Sequence, residues 1–232
     1  MKETVQVVLQ AGGRGERLRP LTDTTPKPLL PVAGVPMVER LYRQMLAGGL
    51  RDITVITGWL GEKIEAHLRG LDNPPDLRLR FLQEGTPLGN AGALRLVPDS
   101  DAPVLLAFGD LVTDLDFGRL LAIHRERGAA ITLTSHYEQT RLRLGELLVQ
   151  GDTVTGYQEK PVKKYLICSG IAVFERPVLD LIQPDRPVGL VDVVMGALAA
   201  GFPVTHWEHG AFWMDVNSKE ALEEANQALG GV

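Results

Sequence analysis

The chain of 232 residues holds a single cysteine, Cys168. One cysteine closes no internal disulfide, so a reducing compartment, the cytoplasm, is the expected location. No apolar run approaches the roughly 20 residues that span a bilayer. The first apolar run, residues 5–9, is short and passes straight into a Gly-rich loop, unlike the apolar centre of a signal peptide. The net charge is −5. No domain-wide positive field exists to hold a phosphate backbone, which excludes a general nucleic-acid binder. Ser/Pro-rich linkers, repeats and low-complexity segments are absent as well. One domain over 1–232 is therefore expected, with a change of pattern near residue 140. Hydrophobic residues at 44% suit a soluble globular chain with a substantial core.

What is present is a regular alternation. Strands are expected over residues 5–9, 53–57, 77–82, 104–108 and 130–135. Between them the pattern predicts helices over 36–47, 62–68, 88–96 and 117–127, with Pro36 in a first turn and Gly48-Gly49 closing the first helix. The alternating Leu and Arg of 77–82 mark a half-exposed or edge strand. This order implies a mainly parallel sheet covered by helices on both faces. After residue 140 the expected strands are 146–149, 153–159 and 165–174, with a hairpin turn at Gly151-Asp152. Helices follow over 177–182 and 191–200, and strands over 204–207 and 212–216. A last helix starts with Asn217 as its cap and Glu220 three residues on. The second half is expected to extend the first sheet and to build a lid-like region.

The segment from Leu9 to Pro20, Leu-Gln-Ala-Gly-Gly-Arg-Gly-Glu-Arg-Leu-Arg-Pro, follows the first strand. Small residues there let backbone N–H groups approach a phosphate closely. Arg14, Arg17, Arg19 and Lys27 face only Glu16 and Asp23 between positions 14 and 27. So much positive charge in an acidic chain suits several phosphates, whose oxygens Arg grips bidentately. Two common nucleotide motifs do not fit. The loop lacks the Gly-Lys-Ser/Thr ending of a P-loop, and Gly13-x-Gly15 lacks the third glycine of a dinucleotide fingerprint, which disfavours a dehydrogenase. On glycines alone, a strand-to-helix turn with solvated arginines remains an equal alternative.

Leu9 through Pro20, followed by Thr25-Pro26-Lys27-Pro28-Leu29-Leu30-Pro31-Val32, resembles the signature of the sugar-1-phosphate nucleotidyltransferases. The family form is roughly L-A-G-G-x-G-T-R-L-x-P-L-T, then x-P-K-P-x-x-P-V. Gln10 departs from it at a usually small position, and Glu16 at a common Thr. Gln83 through Leu94 is similar to the family's base-recognition segment, with Asn90 at a usual Thr. Phe108-Gly109-Asp110, Gln158-Glu159-Lys160-Pro161, Ser169 through Phe174 and Phe212-Trp213-Met214-Asp215-Val216 are similar to further family motifs. The resemblance implies a Rossmann-like α/β fold of the nucleotide-diphospho-sugar transferase type. Its mixed, mainly parallel sheet is flanked by helices, with a small β-rich sugar-binding lid. Residues 1–140 then form a nucleotide-binding half and 141–232 a sugar-binding half.

The resemblance also implies the site. Leu9, Ala11, Gly12, Gly13, Arg14, Gly15, Gln83 and Gly89 would bind nucleotide. Asp110 and Asp215 would bind Mg2+. Arg17, Lys27 and Lys160 would handle phosphates. Glu159 and Lys160 would meet the sugar, with Gly145 where it approaches the backbone. By position alone Asp110 ends an apolar strand, where either a ligand or a turn aspartate fits. Lys27 lies between Pro26 and Pro28, which stiffen its loop. Asp114-Leu115-Asp116 matches the D-x-D of metal-dependent glycosyltransferases, but Asp116 is better read as a helix cap. His206 and His209 suit a surface role better than ligation. No Ser-His-Asp or Cys-His constellation is evident.

The implied reaction joins an NTP to a sugar 1-phosphate and releases pyrophosphate. The compact length and the Gly-Glu-Arg and Thr-Asp-Leu-Asp-Phe segments are similar to the shorter uridylyl- and guanylyl-transferring members; a mannose-1-phosphate guanylyltransferase-like enzyme is the preferred expectation, with a uridylyl- or thymidylyltransferase on another sugar 1-phosphate as the alternative. The chain ends shortly after Asp215, so no appended acyltransferase or β-helix domain is expected. A non-catalytic sensor on the same fold and a metal-dependent glycosyltransferase using Asp114 and Asp116 are the further alternatives, and the intact set of Arg17, Lys27, Asp110, Lys160 and Asp215 weighs against the sensor. A monomer or homodimer that binds no nucleic acid and no membrane is expected.

Overall fold

The computed structural model describes residues 5–230 except Pro87, Asp99, Pro184 and Asp185. Its strands in chain order are β1 (Gln6–Ala11), β2 (Pro31–Val32), β3 (Val35–Pro36), β4 (Asp52–Thr57), β5 (Arg78–Gln83), β6 (Val104–Phe108) and β7 (Leu111–Thr113). They continue with β8 (Ile131–Arg141), β9 (Glu146–Gln150), β10 (Thr153–Gln158), β11 (Val162–Phe174), β12 (Val204–Glu208) and β13 (Trp213–Asp215). The helices are α1 (Met37–Ala47), α2 (Gly61–Arg69), α3 (Gly89–Gly92), α4 (Phe117–Arg127), α5 (Arg176–Leu179), α6 (Leu190–Ala199) and α7 (Lys219–Gly230).

Seven strands form one sheet in the order β12-β8-β11-β6-β1-β4-β5. The pairs of β1 with β4 and β6, of β4 with β5 and of β12 with β8 are parallel. Only β11 runs against its neighbours, β6 and β8. Alternation along the strands divides the core. Val7, Leu9, Ile53, Val55, Leu105 and Ala107 pack with α1, α2 and α4 on one face. Val8, Ile56, Val104, Leu106, Ala172 and Phe174 pack with α3, α5 and α6 on the other. Both faces being covered explains why β1 and β6 read as unbroken apolar runs.

A smaller core lies beyond the sheet edge. Leu18, Leu30, Val32, Met37, Val112, Val216 and Ala225 are buried together there. They come from the loop after β1, the β2–β3 hairpin, the β7–β13 ladder and α7, so the Gly-rich loop is backed by packed side chains. The β9–β10 hairpin is a separate two-stranded sheet turning at Gly151, φ +58°, and it belongs to the β-rich arm expected after residue 140.

Three local expectations need correction. Residues 88–96 are not one helix: α3 gives way to a 3-10 turn, Ala93–Leu96. Gly89 at φ +79° lies against Val188, where a Cβ would meet the carbonyl oxygen at 2.4 Å, so the chain enters this segment bent. The helix expected over 177–182 is the single turn α5. The cap of α7 is Ser218, whose Oγ accepts from Ala221 N–H at 3.2 Å. Asn217 instead donates its side-chain amide to Asp215 Oδ2 at 3.1 Å.

Candidate active site

The carboxyl ends of β1, β4 and β6 open onto a cleft of about 660 Å3, lined by Gln10, Gly12, Gly13, Arg14, Gly58, Trp59, Glu84, Gly85, Gly89, Asn90, Phe108 and Asp110. Ligands in open α/β sheets bind at such an edge. A second cavity of about 340 Å3 adjoins it through Gly13 and Asp110 and adds Gly15, Glu16, Arg17, Leu18, Lys27 and Asn217.

The side chains of Leu9 and Ala11 point into the core, so these two residues offer the cleft their backbone. Gly15 adopts φ +64°, and a Cβ there would lie 2.9 Å from Lys27 Cβ. Glycine thus permits both the left-handed turn and the close passage of the Lys27 stem. Arg14 stacks over Trp59, its guanidinium carbon 4.6 Å from the ring centroid. Trp59 is fixed in turn by Nε1–H donating to Thr22 O at 3.1 Å. Arg17 is exposed in the second cavity.

Lys27 is the hub. Its side chain is 11% exposed, and Nζ donates to Asp110 Oδ2 at 2.6 Å while lying 3.8 Å from Asp215 Oδ1. The two aspartates meet because β7 and β13 pair antiparallel, with Asp215 opposite Leu111 and Val216 N–H reaching Asp110 O at 3.4 Å. Positions 110 and 215, far apart in sequence, thus present two carboxylates to one cation. Among the described residues no three His, Cys, Asp or Glu side chains gather as a metal cage. Two carboxylates are nonetheless what Mg2+ ordinarily takes from a protein when substrate phosphates complete its shell.

The other expected residues lie elsewhere. Gln83 is exposed at the end of β5 and lines a neighbouring cavity with Arg186. Gly89 lines the main cleft. Lys160, at φ +44°, and Glu159 stand on the β-rich arm with side chains more than half exposed, 3.8 Å apart. Neither is among the residues lining the two cavities. Gly145 faces the Tyr157 ring, where any Cβ would collide with the hydroxyl at 1.9 Å. Tyr157 donates to Glu159 Oε2 at 3.0 Å, so this glycine shapes the arm around Glu159.

The Asp114-x-Asp116 pair is divided. Asp116 Oδ1 caps α4 by accepting from Arg119 N–H at 2.9 Å, and Asp114 lines a different cavity with Arg40 and Phe212. His209 is not at the surface. It is 7% exposed, and Nε2 lies 2.8 Å from Ser169 Oγ, which also meets His136 Nδ1 at 2.8 Å. His136 in turn stacks on Trp213, whose Nε1–H donates to Ser169 O. Burial pushes the His209 imidazole below its usual range, helped by neighbouring His136 and opposed by the Ala211 backbone and Asp114.

Trp59 lines the cleft without any motif signal in the sequence, whereas Glu84 and Phe108, also in its lining, fall inside segments similar to family motifs without being among the expected contacts. Asn90 was noted only as a departure from the family, yet its Oδ1 holds the first turn of α6 by accepting from Leu190 N–H at 2.7 Å.

A glycine loop at the carboxyl edge of a mainly parallel sheet, with cations on one side and paired carboxylates below, gives this α/β fold a candidate phosphate site. Its kinship is more specific. The nucleotidyl transferase family model matches residues 6–230, and the chain belongs to that family. It is 30% identical over 231 residues to a mannose-1-phosphate guanylyltransferase of Mycobacterium tuberculosis, covering 93% of this chain and 62% of the relative. A mannose-1-phosphate guanyltransferase of Yarrowia lipolytica is 29% identical over 217 residues, covering 90% and 60%. The chain thus spans about three-fifths of the length of these curated relatives. Among solved structures, a putative glucose-1-phosphate thymidylyltransferase from Bacillus anthracis superposes with a TM-score of 0.78 at 22% identity, covering 99% of this chain and 96% of that one. That likeness is one of fold.

Proposed function

We propose that this chain transfers a nucleotidyl group from an NTP to a sugar 1-phosphate, giving an NDP-sugar and pyrophosphate. The convergence of Asp110 and Asp215 on Lys27 at the mouth of the Gly-rich cleft carries the reading. The attacking sugar-phosphate oxygen is already anionic at neutral pH and needs no general base. The difficulty is bringing two polyanions into line, so catalysis is positioning and charge neutralisation.

Asp110 and Asp215 would hold Mg2+, which neutralises phosphate oxygens when bound. The remaining roles fall to the chain's own groups. The backbone of Leu9, Ala11, Gly12, Gly13 and Gly15 would line the nucleotide. Arg17, assisted by Arg14, would stabilise the departing pyrophosphate. Lys27 would exchange its carboxylate partners for phosphate oxygens, and Lys160 on the arm would hold the second phosphate in line. Glu159 would take sugar hydroxyls near Gly145, and Gln83 and Gly89 would flank the base.

The relatives' names favour mannose 1-phosphate and GTP as the substrate pair. We treat residues 1–232 as one nucleotidyltransferase domain, acting in the cytoplasm as a monomer or homodimer. No helix among the described residues is long and apolar enough to cross a membrane.

A matrix of GTP, UTP, dTTP, ATP and CTP against several sugar 1-phosphates, read by pyrophosphate release, tests the proposal. Turnover is expected for at least one pair, with GTP and mannose 1-phosphate foremost. Pyrophosphate release that needs no sugar phosphate, or none with any pair, contradicts it.

A further inference from the structure

We infer that His209, Ser169 and His136 form a directed hydrogen-bond relay that fixes Trp213, and that Trp213 in turn holds β13 so that Asp215 meets Lys27 beside Asp110. The inference rests on the nucleotidyl-transfer reading of the cleft, in which Asp215 serves the reaction. The strand β13 is three residues long, and its ladder partner β7 is equally short. A two-stranded ladder is marginal on its own. Trp213 ties it to the rest of the molecule. Its Nε1–H donates to Ser169 O on β11 at 2.8 Å, and its ring packs on His136 of β8 with centroids 4.5 Å apart. One side chain thus joins the strand that carries Asp215 to the seven-stranded sheet.

The backbone of β11 is shaped for this contact. Its register against β8 shifts between Cys168 and Ala172, and Gly170 takes φ +77° there. The irregularity takes Ser169 out of register with β8 and leaves its carbonyl to the indole. The Ser169 side chain is wholly buried, and its Oγ lies 2.8 Å from both His136 Nδ1 and His209 Nε2. A hydroxyl has one hydrogen to give. With both rings neutral, one of the two nitrogens accepts from it and the other donates to it.

The direction follows from the far end of the chain. His136 Nε2 lies 3.4 Å from Glu138 Oε1, and a carboxylate oxygen only accepts, so the His136 proton belongs on Nε2. Its Nδ1 then accepts from Ser169 Oγ–H, and Ser169 Oγ accepts from His209 Nε2–H. The reverse direction would set a bare Nε2 of His136 against the Glu138 carboxylate. The same direction leaves His209 Nδ1 as the lone pair, and that buried atom has no hydrogen-bond partner. Burial of His209 favours the neutral ring that this arrangement requires. The relay therefore runs one way, from His209 through Ser169 and His136 to Glu138, and it sets the angle at which His136 meets the Trp213 ring.

The test follows hydrogen exchange of the Trp213 indole N–H by 1H–15N NMR in the metal-free protein, the signal being assigned by its loss in Trp213→Phe. Pyrophosphate release is measured separately as a function of Mg2+. Ser169→Ala and His209→Leu are expected to speed indole exchange at least about tenfold and to raise the Mg2+ needed for half-maximal turnover about tenfold, with the KM for NTP within about twofold. His209→Gln, whose side-chain amide can donate in place of Nε2–H, should stay near the wild type in both measurements. Exchange and Mg2+ dependence like the wild type in Ser169→Ala and His209→Leu overturn the inference. So does an equal loss in His209→Gln and His209→Leu, which would make His209 a space-filling residue. Faster exchange with unchanged Mg2+ dependence overturns the link to Asp215. Should Ser169→Ala fail to fold, the two His209 variants decide the matter by themselves. Faster indole exchange in the variants of a protein whose wild type releases no pyrophosphate with any substrate pair sinks the transfer reading and leaves the Trp213 anchor standing.

Discussion

At the scale of single residues, His209 shows how burial sets a charge state. Its imidazole meets Trp207 edge to face and lies beside His136, with Ser169 Oγ as its hydrogen-bond partner, and desolvation holds its pKa below the usual range. The unfolded chain takes up this proton near pH 6.5, while the folded chain resists it. Its contribution is therefore complete above about pH 6.5 and is lost as pH falls through the lowered folded value. Urea midpoints measured from pH 7.5 to 5 should fall in the wild-type protein and fall less steeply in His209→Gln. Identical slopes would show that the buried imidazole does not drive the loss. The sequence marked the Gly-rich loop, Lys27 and both aspartates through motif resemblance, and the structure brings those three charged groups together. It did not reveal the burial of His209 or the Gln10–Glu84 pair. Those depend on which strands become neighbours, β4 between β1 and β5 and β12 beside β8, and residues 10 and 84 carry no periodic signal of the hydrogen bond from Gln10 Nε2 to Glu84 Oε1 at 3.2 Å.

At the scale of elements, the short β7–β13 ladder and the start of α7 share the work of placing Asp215. Ser218 caps the helix, and Asn217 orients the carboxylate. The two adjacent residues should therefore separate on mutation. Ser218→Ala is expected to cost about 1 kcal/mol of stability, read by denaturant unfolding, with turnover per folded molecule little changed. Asn217→Ala is expected to leave stability within about 0.5 kcal/mol and to lower turnover. The reverse pattern would return the cap to Asn217. Long amphipathic helices such as α1 and α4 were legible because their apolar spacing and terminal glycines agree. The 88–96 segment departs from a single helix because two glycines and contact with Val188 override its apolar pattern, a tertiary effect.

At the scale of the whole molecule, the two halves are interleaved. Strands β11 and β12 of the second half complete the sheet that β1, β4, β5, β6 and β8 begin, and β11 is inserted between β6 and β8. The parallel sheet was legible from alternating strands and helices. The antiparallel insertion of β11 was not, because a buried strand reads the same in either direction. One result of this interleaving is that the site draws Asp110 from one half and Asp215 from the other. The most direct measurement is Mg2+-dependent pyrophosphate release from an NTP and a sugar 1-phosphate by the wild-type protein and Asp110→Asn, the variant checked for folding by circular dichroism. The account predicts turnover by the wild type that requires both substrates and the metal, and a loss of at least about a hundredfold in the variant. Near-normal Mg2+-dependent turnover by Asp110→Asn would contradict it.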